Sequence, residues 1–346
     1  MATVEITVMG AGIFGLSVAY ACARRGARVH VFDPNGVAAG ASGGIVGALA
    51  PHTPDQWLPK KAFQLESLLM AARHWAEVDA LSGQASGYGR VGRLQPLARG
   101  ERALTLALER TEGAKELWRG KAVWQVIDAG ADAWQPISET GKLVHDTLSA
   151  RIHPRRACDS LAAAIRALGG DIESDGAVRG AVVWATGHEG LLSLTSQMGR
   201  LIGNGVKGQA ALVGHDAAGQ PQIFADGIHL VPHEDGTVAI GSTSERYFDD
   251  ATSTDLQLDD LLARAREICP VLRDASVLQR WAGVRPRAKS RAPMLGAWPD
   301  RPGHFIANGG FKIGFGMAPK VGEVMADLVL EGRDCIPEGF RVEDNL

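Results

Sequence analysis

The run Gly10-Ala11-Gly12-Ile13-Phe14-Gly15 stands directly behind an apolar stretch, Ile6-Thr7-Val8-Met9, and directly ahead of an Ala-rich segment that closes at Arg25-Gly26. Apolar residues then resume at Val29-His30-Val31-Phe32 and end on Asp33. Strand, glycine turn, helix and strand in this order make a βαβ unit. Gly10 permits the tight turn, Gly12 lets a pyrophosphate approach the backbone, and Gly15 lets helix and strand pack closely. The helix start offers unpaired N–H groups and positive partial charge, with Ile13 and Phe14 in its first turn. Asp33, followed by Pro34, is placed to accept from ribose hydroxyls and would repel a 2′-phosphate, which leaves FAD and NAD as dinucleotides. The competing reading is a glycine turn that holds no ligand.

A chain of 346 residues has room for two domains. Its formal net charge of −3 gives no chain-wide attraction to nucleic acid, and no apolar run has the length of a membrane span. Small-molecule chemistry is the expectation. Cys22, Cys158, Cys269 and Cys335 are too scattered for a zinc site or a disulfide framework, so reduced thiols and no metal are expected. The first strand begins almost at Met1 without a charged and apolar leader, which makes the cytoplasm the expected location.

Beyond the βαβ unit, helical spacing covers residues 60 to 81 and 101 to 118, and shorter β-like pieces lie at 83 to 97 and 120 to 150. A helical pattern from His153-Pro154 to Leu168 ends at Gly169-Gly170. Strands from 206 to 245 turn at Asp226-Gly227 and Asp235-Gly236, and Asp255 caps a further helix. The expected fold is α/β, with a Rossmann-type dinucleotide-binding domain (1–55, 151–205 and 283–346) interleaved with an antiparallel-sheet-based α+β substrate domain (56–150 and 206–282).

Four further blocks carry chemistry: Gly40-Ala41-Ser42-Gly43-Gly44; Val182-Val183-Trp184-Ala185-Thr186-Gly187; Trp281-Ala282-Gly283-Val284-Arg285-Pro286 with Pro293-Met294-Leu295-Gly296; and Gly309-Gly310-Phe311-Lys312-Ile313-Gly314 running on to Pro319. The third strand ends at Ala185-Thr186-Gly187 in small residues, against which a dinucleotide can lie. The last block precedes a helix expected to begin near Ala318-Pro319, whose N-terminus would stabilise negative charge on a reduced flavin.

In order and spacing, these blocks and the glycine fingerprint resemble the D-amino-acid oxidase superfamily, in its glycine oxidase and sarcosine oxidase branch, over nearly the whole chain. The resemblance implies FAD, held non-covalently, and oxidation of a small amine or amino acid to the imine by hydride transfer to flavin N5. It implies that Arg285, in Gly-x-Arg-Pro, pairs with the substrate carboxylate, as a planar guanidinium does well. Lys312 stands where glycine oxidases have another arginine and His229 where they have a tyrosine; both departures argue against glycine itself and for a cation-lined pocket. His52, in the loop expected near the flavin, is read as pocket wall rather than general base. Only about a dozen residues separate Gly170 from Val182, where relatives insert a β-meander on the adenine side, and weaker FAD binding is the expected consequence.

Three other readings remain. Gly40 to Gly44 matches the G-x-S-x-G nucleophile elbow of serine hydrolases, though without the flanking strand and helix that pattern needs. A flavin subunit that passes electrons within a larger complex would lack its own iron–sulfur cysteines, as this chain does. An NAD dehydrogenase would leave the last glycine block without a role. The sequence leaves open whether oxygen or another carrier takes the electrons, and whether the chain forms a homo-oligomer.

Overall fold

The computed structural model describes residues 4–346 and contains the opening unit as strand Glu5–Met9, helix Ile13–Arg24 and strand Arg28–Phe32. It lies at the centre of a six-stranded sheet ordered Met294–Ala297, His304–Asn308, Ala181–Trp184, Glu5–Met9, Arg28–Phe32, Asp171–Glu173. All neighbours are parallel except the antiparallel edge pair Met294–Ala297 with His304–Asn308. Ile6, Val8, Val29, Val31 and Val183 have no exposed surface, as expected when helices cover both faces of a parallel sheet.

Successive residues divide between those faces. Val183, Leu295 and Ala307 join the core beneath helices Ile13–Arg24, Pro154–Ala167 and Gly314–Glu331, while Met294 and Ile306 join a small cluster with Leu191 and Leu194 of helix Gly187–Met198.

The second sheet has eight strands in the order Val277–Ala288, Gly203–Gly214, Thr237–Gly241, Ile228–Pro232, Gln222–Ala225, Arg93–Pro96, Lys142–Asp146, Trp124–Asp128. Every pairing is antiparallel except Gln222–Ala225 with Arg93–Pro96. Its Ile223, Ile228, Leu230, Val238 and Ile240 pack on Leu258, Leu261, Leu262 and Ala265 of helix Leu256–Ile268, which Asp255 caps by accepting from the Gln257 amide. Positive φ at Asp226 (49°) and Gly227 (79°) gives the tight turn that keeps two twisted strands together. On the other face Val46 would meet a Cβ on Gly241, and the Trp281 ring would meet Cβ atoms on Gly44 and Gly283.

Three features differ from the sequence expectation. Helix Pro59–Ser82, expected with the substrate domain, buries Phe63, Leu68, Ala71, Trp75 and Val78 in the dinucleotide-side core against helices Pro154–Ala167 and Gly314–Glu331. Its amphipathic period identifies a buried face but not which sheet that face meets. Strand Val277–Ala288 runs unbroken through position 283 and pairs with Gly203–Gly214 from Val277 to Ala288, so a boundary there falls inside one ladder. The last helix begins at Gly314, not near Ala318, with Pro319 inside it. The Pro319 gap falls just past the first turn, whose amides lack helical partners anyway, and the next amide, Lys320, donates to Ser67 Oγ at 3.4 Å.

No helix among the described residues is long and apolar enough to cross a membrane. All four cysteines are free, and no cluster of three potential metal ligands occurs among the described residues.

Candidate active site

The first half of the site is made of backbone. Gly10, at φ 111°, would carry a Cβ 2.4 Å from the Ala185 carbonyl oxygen, and a Cβ on Gly15 would lie 1.9 Å from the Gly10 oxygen. These two glycines therefore let strand, loop and helix close on one another. Gly12 differs: its φ is an ordinary −83° and a Cβ would meet only Ser42 Oγ, at 3.1 Å. Of the three, Gly12 alone would bring a Cβ against no backbone atom.

Ala11 N–H donates to Asp33 Oδ2 at 2.8 Å and Ile13 N–H to Ser42 Oγ at 2.9 Å, whereas the Gly12 and Phe14 amides have no protein acceptor among the described residues. Free donors at a helix N-terminus, in a loop where Gly12 carries no side chain, fit the pyrophosphate of FAD. Asp33 Oδ1 takes the Asn35 amide and leaves lone pairs for ribose, while Pro34 is exposed behind it.

Ser42 lies in a single 3-10 turn, Ala41–Gly43, with no preceding strand, and a Cβ on Gly43 would overlap the Ala38 carbonyl. With its oxygen committed to the Ile13 amide, Ser42 caps a helix, and the nucleophile-elbow reading is set aside.

Ala185 continues the third strand, its amide bonding Met9 O, and Thr186-Gly187 turns into helix Gly187–Met198 at φ 62°. Asn308, which sequence reasoning passed over, ties this turn to the last parallel strand by donating Nδ2–H to Gly187 O at 2.9 Å. At the flavin end, a Cβ on Gly310 would lie 2.9 Å from the Phe14 ring, so the two glycine loops pack on each other. Phe311 has φ 43° and donates its amide to Pro286 O, locking the loop to the strand that carries Arg285. Ile313 caps helix Gly314–Glu331, whose Gly314, Phe315 and Gly316 amides have no backbone acceptor outside the helix. Free amides at a helix N-terminus favour negative charge beside them.

The second half is made of side chains on the face of the eight-stranded sheet opposite helix Leu256–Ile268. Arg285 lies flat across Gly208, where any Cβ would overlap its guanidinium. It donates to Ser242 Oγ at 2.5 Å and, at 3.4 Å, to the carbonyls of Lys207 and Thr243. No carboxylate pairs with it among the described residues; burial pushes its pKa down to about 10, and the Glu245 charge works against that shift.

Lys312 is exposed at the site's mouth, and partial desolvation and then the charge of Arg285 hold its ammonium below the usual lysine value. His229 is pushed down to about 3 by burial, then by the charges of Arg93 and Lys312, so it is a neutral wall at physiological pH. Its ring leans on Phe224, with centroids 4.5 Å apart.

Arg285, Lys312 and His229 thus come together, and His52 does not join them. The His52 ring and amide both bond Gln64 Oε1, and burial, followed by the charges of Lys60 and Lys61, lowers its pKa. Arg93, Ser242 and Thr243 were missed because nothing local marks them: each reaches the site only through strand pairings distant in sequence.

A family model described as DAO, FAD dependent oxidoreductase, matches residues 5–328. The glycine oxidase of Geobacillus kaustophilus (strain HTA426) is 25% identical over 355 residues, covering 94% of this chain and 92% of that protein. The glycine oxidase of Pseudomonas aeruginosa is 36% identical over 132 residues, a match that spans 38% of this chain and 36% of that protein's length. Among solved structures, iminodiacetate oxidase (IdaA) from Chelativorans sp. BNC1 superposes with a TM-score of 0.84 at 23% identity, covering 97% of this chain and 98% of that one.

Proposed function

We propose that this chain, which belongs to the DAO family of FAD-dependent oxidoreductases, oxidises the C–N bond of a small amino acid or amine to the imine, with Arg285 holding the substrate carboxylate. The observation that carries this reading is the guanidinium itself: half-buried, fixed over Gly208 by Ser242 and two carbonyls, and without a carboxylate of its own among the described residues. An unpaired buried charge costs several kcal/mol unless a ligand completes it. FAD, when bound, supplies the hydride acceptor at its N5 position.

The chain's residues then position and exclude. The Gly12 and Phe14 amides would hold the pyrophosphate, Asp33 would take the ribose hydroxyls, and the N-terminus of helix Gly314–Glu331 would favour negative charge on the cofactor. Arg285, seconded by Lys312 at the mouth, fixes the carboxylate so that the α-carbon faces the cofactor. His229, neutral and stacked on Phe224, closes the pocket. A substrate amine that enters neutral needs no general base for hydride loss, so His52, bound to Gln64, is wall rather than catalyst. The relatives named glycine oxidase and iminodiacetate oxidase act on amino-acid-like compounds, which supports the same class here. Oxygen or another carrier reoxidises the flavin.

Anaerobic mixing of the FAD-loaded protein with a panel of small amino acids and amines tests the proposal. Bleaching of the oxidised flavin bands by carboxylate-bearing amines is expected. Failure of every one to bleach a flavin that dithionite reduces normally would overturn it.

A further inference from the structure

A second cation stands across the pocket from Arg285, and the carboxylate-holding reading leaves it unused. Arg93 has a side chain only 7% exposed, on the strand parallel to Gln222–Ala225. Arg93 is opposite Gln222, and Gln222 and Phe224 alternate with Ile223, which faces helix Leu256–Ile268; Arg93 therefore rises on the same face as Phe224 and His229. Its guanidinium carbon stands 5.8 Å from the Phe224 ring centroid.

Arg93 bonds Asp146 through Nε alone, at 3.0 Å. Asp146 is independently satisfied by the Leu148 and Ser149 amides and Ser149 Oγ. Neither terminal nitrogen of Arg93 has a protein acceptor among the described residues and neither is sealed from solvent, so the fork is left free beside the Phe224 ring. Beside them, His229 Nδ1 is sealed off without a partner.

Ser242, which binds the Arg285 guanidinium, follows strand Thr237–Gly241, two strands away from the Phe224 row. At roughly 4.8 Å per strand the two guanidinia lie on the order of 10 Å apart. One carboxylate does not span that gap; two on a short chain do. Cations also act on one another here: Arg246 and Arg291 on Arg287, and Arg285 on Lys312, while Glu245, whose charge acts on Arg285, stands 3.8 Å from the Lys207 ammonium.

We propose that Arg93 is a second anion subsite and that the preferred substrate is an amino or imino acid with a second carboxylate, one held by Arg285 and the other by the free fork of Arg93. This rests on the amino-acid-oxidising reading above and narrows it. A diacid carries net negative charge at neutral pH, so the cationic mouth draws it in, whereas a zwitterionic monoacid gains little from that field. The neutral His229 between the two cations contributes no competing charge.

The test uses FAD-loaded protein under anaerobic conditions and compares the rate of flavin reduction by aspartate, glutamate and an N-carboxymethyl amino acid with that by glycine and alanine. At least a tenfold higher kcat/KM is expected for the best diacid, falling as ionic strength rises, while the monoacids show little salt dependence. Arg93→Gln combined with Asp146→Asn removes the charge without stranding its partner, and flavin content and thermal midpoint report whether this variant is folded. The diacid preference should drop at least tenfold in it, and Arg93→Lys should recover part. Equal rates for diacids and monoacids, or a preference that survives in a folded Arg93 variant, would overturn the inference and leave the broader function standing. If no amino acid reduces the flavin, the broader reading fails. Perturbation of the flavin spectrum by glutarate against acetate then decides Arg93 separately: tighter glutarate binding, weakened in the Arg93 variants, supports the subsite, and equal binding refutes it.

Discussion

The two sheets build their halves of the site in opposite ways. On the parallel sheet the working groups are amides and empty space, supplied by residues close together in sequence: Gly10, Gly12, Gly15, and Asp33 one strand later. On the antiparallel sheet they are side chains, and the ones that meet come from strands as distant in sequence as Arg93, His229 and Arg285. A backbone site is intolerant of any added atom. A side-chain site tolerates substitution of the scaffold and changes its preference when one group changes. This contrast suggests that cofactor binding and substrate choice can be damaged separately.

The largest expected effects separate two kinds of glycine on the parallel sheet. Gly15→Val places a branched side chain where even a Cβ would lie 1.9 Å from the Gly10 oxygen, and should destabilise the chain by several kcal/mol, read as a large fall in thermal midpoint without FAD. Gly12→Ala crowds only the Ser42 hydroxyl, at 3.1 Å, and at most loosens its cap on the Ile13 amide, so the FAD-free chain should lose about 1 kcal/mol or less while FAD affinity falls at least tenfold. Gly12→Val should abolish FAD binding. A Gly12→Ala protein that retains full flavin would break the backbone half of the comparison.

Asp33→Ala comes next. It removes the acceptor of the Ala11 amide and the ribose-facing carboxylate together, and should weaken FAD binding by about 1–3 kcal/mol without altering which amines reduce the flavin that remains. Titration of the FAD-free protein with FAD measures it, and a changed substrate preference would blur the division between the halves.

Acidification probes each half through one buried histidine. His74, in the dinucleotide-side core, is pushed down to about 4 by burial, and His229, on the substrate sheet, to about 3, both from an ordinary 6.5. Between 6.5 and these values the unfolded chain binds more protons than the folded one, so stability falls as pH falls. At pH 5 each should cost roughly 1–2 kcal/mol. His74→Phe should blunt the fall in melting temperature between pH 7 and pH 5; an unchanged acid sensitivity would mean that His74 is already protonated in the fold.

Lys312→Met should show the smallest effect, about 1 kcal/mol in substrate binding, because an exposed charge at a pocket mouth is screened by water. It should also lower the salt dependence of substrate capture. A loss as large as that of an Arg285 variant would move Lys312 from the mouth to the reacting centre.

The same contrast explains what could be read from the sequence. The βαβ unit, the Asp226-Gly227 turn and the Asp255 cap are legible because each depends on residues within a few positions of one another. Helix Pro59–Ser82 shows its apolar face in the sequence, yet that face meets helices beginning at Pro154 and Gly314, which no local period encodes. The division at position 283 missed because the Gly-x-Arg-Pro motif sits in mid-strand: Arg285 belongs by function to the flavin-facing motifs and by hydrogen bonding to the substrate sheet. Pro319 suits a first helical turn, but the helix begins five residues earlier, at Gly314, because glycines there close the turn that Pro319 would otherwise open. Arg93 is one basic residue in a short strand, and only the order of the sheet brings it beside Phe224 and His229.

The most direct measurement is anaerobic flavin reduction by the best amino-acid substrate and by its decarboxylated amine, in wild type and in Arg285→Leu at equal flavin content. The predicted result is a loss of about 2–5 kcal/mol in kcat/KM for the amino acid with a much smaller change for the amine, and partial recovery in Arg285→Lys, whose ammonium cannot match both carboxylate oxygens. Equal losses for both compounds would show that Arg285 does not read a carboxylate, and would contradict the assignment of substrate choice to the side chains of the antiparallel sheet.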